Sequence, residues 1–208
     1  SIINGIDKTI LSGTKVTLIN LPVREQALPN NPPLGLALLA SQLQRYGVEV
    51  NIIDLNSYRI QDSDSKILQL SNGRVLNDDE TYKLLADTFN KCGNQDLIGL
   101  SGLITTLDWQ AKIAKYIRKL QPESLLVSGG GLATEFRGIL FKWIPELDGV
   151  AHSEGDDIIL KIAFDAKIIH EYGLKSAINS GKLDPYYLGL HQGRPRFFYD
   201  GGRPNDLD

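Results

Sequence analysis

In the stretch LLVSGGGLATEFRG, residues 125–138, the chain changes from strand-like to helix-like pattern across glycine. A short apolar run meets three consecutive glycines, Gly129, Gly130 and Gly131, and then passes into a segment with helical spacing. An apolar strand that stops at glycine and reopens as a helix is half of a parallel βα unit. Glycine in such a turn leaves the backbone bare, so that something else can approach it closely.

Working outward, the same alternation recurs. KVTLINL (15–21) is a β-branched run that ends at Pro22, and it reads as a buried first strand. LGLALLASQLQRYG follows, with Pro33 suited to the first turn of a helix and Gly47 to its end. This helix is apolar nearly all round, which predicts that it is well covered. VEVNIID (48–54) is the second strand. Residues 55–77 are polar and irregular, an insertion with a turn at SNG, 71–73. Asp78 and Asp79 then precede a helix in which Tyr82, Leu85, Ala86 and Phe89 keep helical spacing. DLIGLSG is the third strand, and Thr105 or Thr106 is placed to cap the helix LDWQAKIAKYIRKLQ, which Pro122 ends. SLLVSGGG is the fourth strand, TEFRGILFKWI a helix, LDGVAHS the fifth strand and EGDDIILKIAFDAKIIHE the last helix.

The expected architecture is a doubly wound, five-stranded parallel sheet of the flavodoxin-like, Rossmann-like kind, with strand order 2-1-3-4-5. The expected organisation is one α/β domain over 1–165 and a C-terminal extension over 166–208, in which RFFY suggests a short strand. Tyr186, Tyr187, Phe197 and Phe198 of that extension read as packing residues.

Composition narrows the function classes. A formal net charge of -3 supplies no basic field for a phosphate backbone, so nucleic acid is not an expected partner. The single cysteine, Cys92, makes neither an internal disulfide nor a cysteine-rich metal site, and it reads as a packing residue in a reducing, cytoplasmic setting. No run approaches the roughly 20 apolar residues of a membrane span, so the expectation is a soluble protein without a membrane partner. The absence of methionine and the opening Ser1 suit a processed or engineered piece, or a chain whose modified methionines are not written in the sequence.

In a sheet of this kind, ligands sit beyond the carboxyl ends of the strands, here at residues 21–35, 101–107, 128–134 and 152–157. A dinucleotide site needs G-x-G-x-x-G after the first strand, yet that strand ends in NLPVREQ, although Asp54 does close the second. A phosphate-binding lysine loop is missing as well. A phosphorylatable receiver domain needs acids where this chain has Asn20 and Ser101. What the loops offer is hydroxyls and glycine: SGLITT, SGGGLAT and, with acids, HSEGDD. Each piece alone is consistent with a mere turn or helix cap; together they suit a flat ligand packed against backbone.

SGL at 101–103 with GG from Gly129 resembles the S-x-L and G-G half of a cobalamin-binding signature. NNPPLGLALLASQLQRYGVEVNIID, LIGLSGLITT, LLVSGGGLAT and LDGVAHSEGDDIILKI, in that order, resemble the N-terminal cobalamin-binding domain of cobalamin-dependent radical S-adenosylmethionine enzymes over roughly residues 15–165. The resemblance implies a corrin ring over the carboxyl edge of the sheet and a nucleotide tail running between strands toward Gly129, Gly130 and Gly131. It implies that Ser101 and Thr105 or Thr106 hydrogen-bond the tail, that Gly102 and Leu103 line its channel, and that Leu21, Pro22, Leu34 and Gly35 face the corrin. The resemblance further implies that Glu154, Gly155 and Asp156 flank the corrin from the fifth strand. On this reading Gly130→Val blocks the tail and leaves the core largely intact.

The chain departs from the pattern in three places. The D-x-H-x-x-G motif that supplies a cobalt ligand in related domains is absent, so the corrinoid is expected base-off without a histidine ligand; His152 is the one histidine at a candidate loop. The usual G-E-G-E of the fifth loop is SEGD, with Ser153 and Asp156 as the substitutes. The C-x-x-x-C-x-x-C motif for an iron–sulfur cluster is missing, which assigns the cluster and S-adenosylmethionine to another domain, in cis or in trans. The tail RPRFFYDGGRPNDLD resembles the lead into such a radical domain, so the expected role is that of a cofactor-holding module within a methyltransferase or rearranging enzyme. The alternatives are a stand-alone carrier or sensor, and a flavodoxin-like domain for another flat ligand such as flavin.

Overall fold

The computed structural model describes residues 9–23, 33–152, 158–183 and 186–200. Seven strands form one sheet: β1 (Lys15–Asn20), β2 (Glu49–Asp54), β3 (Leu97–Ser101), β4 (Leu125–Gly129), β5 (Gly149–His152), β6 (Tyr187–His191) and β7 (Arg194–Asp200). Their order is β2-β1-β3-β4-β5-β7-β6. The expected order of the first five strands stands, but the sheet is not five-stranded. Beyond β5, β7 adds a parallel strand and β6 an antiparallel edge.

The two extra strands have a physical cause. In β7, Pro195, Phe197 and Tyr199 alternate with more exposed residues and turn inward, and Phe197 and Tyr199 are fully buried. The base of the hairpin is tied by charge. Asp148, just before β5, is fully buried, pairs with Arg118 at 2.9 Å and Arg194 at 2.7 Å, and accepts the Leu126 N–H at 2.8 Å. Arg196 adds bonds to the Leu147 and Pro145 carbonyls.

Helices cover both faces. α1 (Leu34–Gln44) and α7 (Ile158–Tyr172) pack over Val16, Leu18, Leu97 and Val127. α3 (Asp78–Cys92) and α4 (Leu107–Leu120) pack over Ile19, Ile98, Leu100 and Leu126. The 55–77 insertion folds around the short α2 (Ser63–Ile67) and an isolated bridge between Ile60 and Arg74. Asn77 caps α3 in a reciprocal box with Glu80, so Asp78 and Asp79 lie in its first turn.

Three expectations change. The segment TEFRGILFKWI is two short helices, α5 (Gly131–Phe136) and α6 (Leu140–Trp143), divided where Arg137 takes a φ of 49°. α7 is followed by α8 (Leu174–Asn179) across Gly173. α1 is not covered all round, because only one face of it meets the sheet; Leu34 is 69% and Leu38 63% exposed. Among the described residues, no helix is long and apolar enough to cross a membrane.

A second buried polar group joins α7 to β7. Asp165 accepts from Lys161 at 2.5 Å and from the Tyr199 hydroxyl at 2.9 Å. Burial lifts its carboxyl from 3.8 to about 6, against the pull of Lys161 and Tyr199. The folded protein therefore holds this proton more tightly than the unfolded chain does. The contribution to stability is full below about pH 4 and is lost as pH rises through about 6. The stability difference between wild type and Asp165→Asn, followed by urea unfolding, should fall by on the order of 1–3 kcal/mol between about pH 4 and about pH 7. A flat difference would remove Asp165 as the titrating group. At the hairpin base, Asp148→Ala strands two guanidinium groups and should cost about 3–5 kcal/mol at neutral pH, whereas a loss below about 1 kcal/mol would show the ionic tie to be dispensable.

Candidate functional site

Register brings the candidate loops together. Asn20 lies opposite Ser101, and Ser101 opposite Gly129, so the ends of β1, β3 and β4 form one edge. Under that edge, between the sheet and the helices α1 and α7, is a cavity of ≈ 230 Å³. Its sheet surface is built from Leu18, Leu97, Gly99, Val127 and Ala151, its helical walls from Leu36, Leu38 and Leu39 of α1 and Ile158, Ile159 and Ile162 of α7. Ser101, Gly129, Gly130 and Gly35 complete it, and Ser101 is the one polar side chain among the described lining residues.

The cavity exists because side chains are missing where two helices would otherwise close on the sheet. Gly99 sits mid-strand between Leu18 and Val127, and a Cβ there would stand 3.0 Å from Leu18 Cδ2. A Cβ on Gly129 would meet only Ala151 Cβ, at 3.9 Å, and would project into the open space. Gly130 is glycine for a different reason. Its φ is +82°, a region that side-chain-bearing residues rarely adopt, and a Cβ would also stand 3.1 Å from Ser101 Oγ. Gly131 is held close to Leu103, whose Cδ2 lies 3.1 Å from where its Cβ would be.

The expected site residues divide between the two faces of the sheet. Ser101, Gly129, Gly130 and Gly35 line the cavity. Leu34 lies on the exposed side of α1 and Leu103 is 51% exposed in the loop after β3; neither lines the cavity. Gly102 turns away, because a Cβ there would strike Thr106 Oγ1 at 2.1 Å; its carbonyl accepts the Leu132 N–H at 3.1 Å and couples the two loops. Thr106 is buried and its hydroxyl donates to the Leu103 carbonyl at 2.7 Å, inside a 3-10 turn over Ile104–Thr106. Neither Thr106 nor Thr105 makes a side-chain cap to α4, and Thr105 is exposed. Leu21 is fully buried in the core of the α3 and α4 face, and Pro22 is buried beside it. Glu154, Gly155 and Asp156, with Ser153, lie outside the described residues.

His152 follows the cavity-lining Ala151 and therefore points to the opposite face. Its ring lies 6.3 Å from that of Phe198, and its Nδ1 is buried without a hydrogen-bond partner among the described residues. No cluster of three or more His, Cys, Asp or Glu side chains that would hold a metal occurs among the described residues.

Sequence reasoning missed Gly99, Ala151 and the α7 wall. A signal for Gly99 was present: a lone glycine inside LIGLS, since glycine within a strand often marks a close approach. For the α7 wall no local signal exists, because which isoleucines face a gap depends on how α7 crosses the sheet.

The two glycines should respond differently to the same substitution. Gly129→Val should leave stability within about 1 kcal/mol, its side chain entering open space from a strand position. Gly130→Val should cost about 1–3 kcal/mol through its backbone strain alone, so the expectation of a largely intact core applies to Gly129 and not to Gly130. Urea unfolding of both variants decides; equal losses would sink this account.

No family model matches the sequence. A curated relative, cytidylyl-2-hydroxyethylphosphonate methyltransferase from Streptomyces wedmorensis, is 30% identical over an alignment of 133 residues that covers 60% of this chain and 22% of the relative. Among solved structures, the chain is similar to TsrM from Kitasatospora setae, a radical S-adenosylmethionine methyltransferase with cobalamin and a [4Fe-4S] cluster bound, at a TM-score of 0.53 and 19% identity, over 74% of this chain and 26% of that one. It is also similar to OxsB, a cobalamin-dependent S-adenosylmethionine radical enzyme with aqua-cobalamin and S-adenosylmethionine bound, at a TM-score of 0.60 and 18% identity, over 93% of this chain and 23% of that one. The chain spans about a quarter of the length of these proteins. These solved neighbours are cobalamin-dependent radical S-adenosylmethionine enzymes, the group that the sequence motifs resemble, and the chain shares its fold with part of them.

Proposed function

We propose that the chain is a cobalamin-binding module that holds the corrinoid with its nucleotide base removed from cobalt and presents it to a radical S-adenosylmethionine domain, in cis or in trans. The observation that carries this reading is the apolar cavity under the carboxyl edge, opened by Gly99 and Gly129 and bearing one hydroxyl, that of Ser101. It is too small to enclose a corrin but suits the tail that hangs from one. In this reading Ser101 hydrogen-bonds the tail, Gly129 and Gly130 give it room, and the exposed apolar side chains Leu34, Leu38 and Leu103 meet the corrin. Thr105 would join Ser101 on the tail, and Glu154, Gly155 and Asp156, outside the described residues, would flank the ring.

A ligand histidine is not expected, because no histidine lines the described part of the cavity and His152 is directed to the other face. The bound corrinoid would supply methyl transfer or rearrangement chemistry through its cobalt. This chain's own residues bind it, orient it and keep water from its tail. In this reading the cofactor-holding unit includes α7 and the β6–β7 hairpin, which belong to the same sheet and core, and a radical domain, in cis or in trans, holds the iron–sulfur cluster and S-adenosylmethionine.

Incubation with hydroxocobalamin followed by gel filtration tests this reading. The expected result is one corrinoid retained per chain with a base-off absorption spectrum, and loss of that retention in Gly129→Val. Absence of retention by the folded protein, or retention of flavin mononucleotide in its place, overturns the proposal.

A further inference from the structure

We infer that the cavity selects among corrinoids by the chemistry of the lower base, accepting a benzimidazole-type base and discriminating against a purine, with Gly99 setting the depth available to it. This rests on the cobalamin-binding reading above. At ≈ 230 Å³ the cavity lies below the ~300–1,000 Å³ of pockets that enclose a whole drug-sized ligand. It takes one compact, flat group.

The walls decide which group. Leucine, isoleucine and valine side chains surround the space, no charged side chain lines its described part, and Ser101 supplies the single side-chain hydroxyl. A benzimidazole attached through one nitrogen keeps one further ring nitrogen, an acceptor that a single hydroxyl can satisfy by donating to it. Adenine adds an amine and more ring nitrogens, for which the described walls hold no side-chain partner. Each polar group buried unpaired weakens binding by on the order of tenfold.

Depth is set at Gly99. It lies at the centre of β3 between Leu18 and Val127, both of which line the same space. A methyl group there would press on Leu18 Cδ2 at 3.0 Å and raise the floor of the cavity. Gly99→Ala should therefore act on the base and not on the corrin.

The test measures equilibrium binding, by absorbance or calorimetry, of three corrinoids to the 208-residue chain: cobalamin, its adenine-based analogue, and cobinamide, which has no base. The inference expects cobalamin to bind at least about tenfold more tightly than either of the others. In Gly99→Ala, cobalamin should weaken toward the cobinamide value while cobinamide is unchanged. Equal affinity for cobalamin and the adenine analogue overturns the base selectivity and leaves the cofactor reading in place. Equal affinity for all three shows that no base enters the cavity and overturns the inference in the same way. Failure of every corrinoid to bind overturns both. If Gly99→Ala does not fold, the three-ligand comparison on the unaltered chain still decides.

Discussion

Two missing side chains, at Gly99 and Gly129, hold open a space that the rest of the fold works to close. α1 and α7 pack on the same face of a parallel sheet, where close packing at organic-crystal density is the rule. Larger residues at these two positions would bring the sheet surface up to the helices. A wholly enclosed void of this size would cost about 5 kcal/mol, a large share of the 5–15 kcal/mol that a domain has in hand. The open mouth at Ser101 and Gly130 lets solvent in and lowers that cost. A ligand group that fills the space recovers contacts that the empty protein forgoes.

The two ends of the sheet are built to different rules. At the amino end of β4 and β5, buried Asp148 draws in Arg118 and Arg194 and accepts the Leu126 N–H, so charge and backbone are tied together. The adjoining α7 and β7 are joined by the Lys161, Asp165 and Tyr199 group. These ties brace the β5 side of the sheet. At the carboxyl end the strands stop at Ser101, Gly129 and His152, and apolar side chains such as Leu34, Leu38 and Leu103 face outward. A sheet tied by buried polar groups along its β5 side, with exposed apolar side chains beyond its carboxyl edge, suits a protein that receives its ligand from above the strand ends.

The direction of each side chain separates binding residues from structural ones in the same loops. Ser101 and Gly102 are neighbours, yet one borders the cavity and the other is pressed against Thr106 on the opposite face. The same alternation separates Ala151 from His152. It explains why a glycine- and hydroxyl-rich loop contributes only part of its polar content to the site.

Much was readable in the sequence alone. The strands KVTLIN, LIGLS and LLVSG, their crossover helices and the grouping of Ser101 with Gly129 and Gly130 follow from short-range pattern: apolar runs of strand length, glycine at their ends, helical spacing between. Such signals are local, and the order of the first five strands is one of the few that successive right-handed βα units allow. The tertiary structure decided the rest. The β6–β7 hairpin joins β5 through pairings such as Gly149 with Phe197, a contact across many intervening residues that no periodicity encodes. The burial of Leu21 and Thr106, the turning away of His152 and the role of Gly99 depend on which face of the sheet each residue meets and on how α1 and α7 cross it. Local sequence sets where segments begin and end; only packing between distant segments determines which edge the last strands join and which side chains are left beside an empty space.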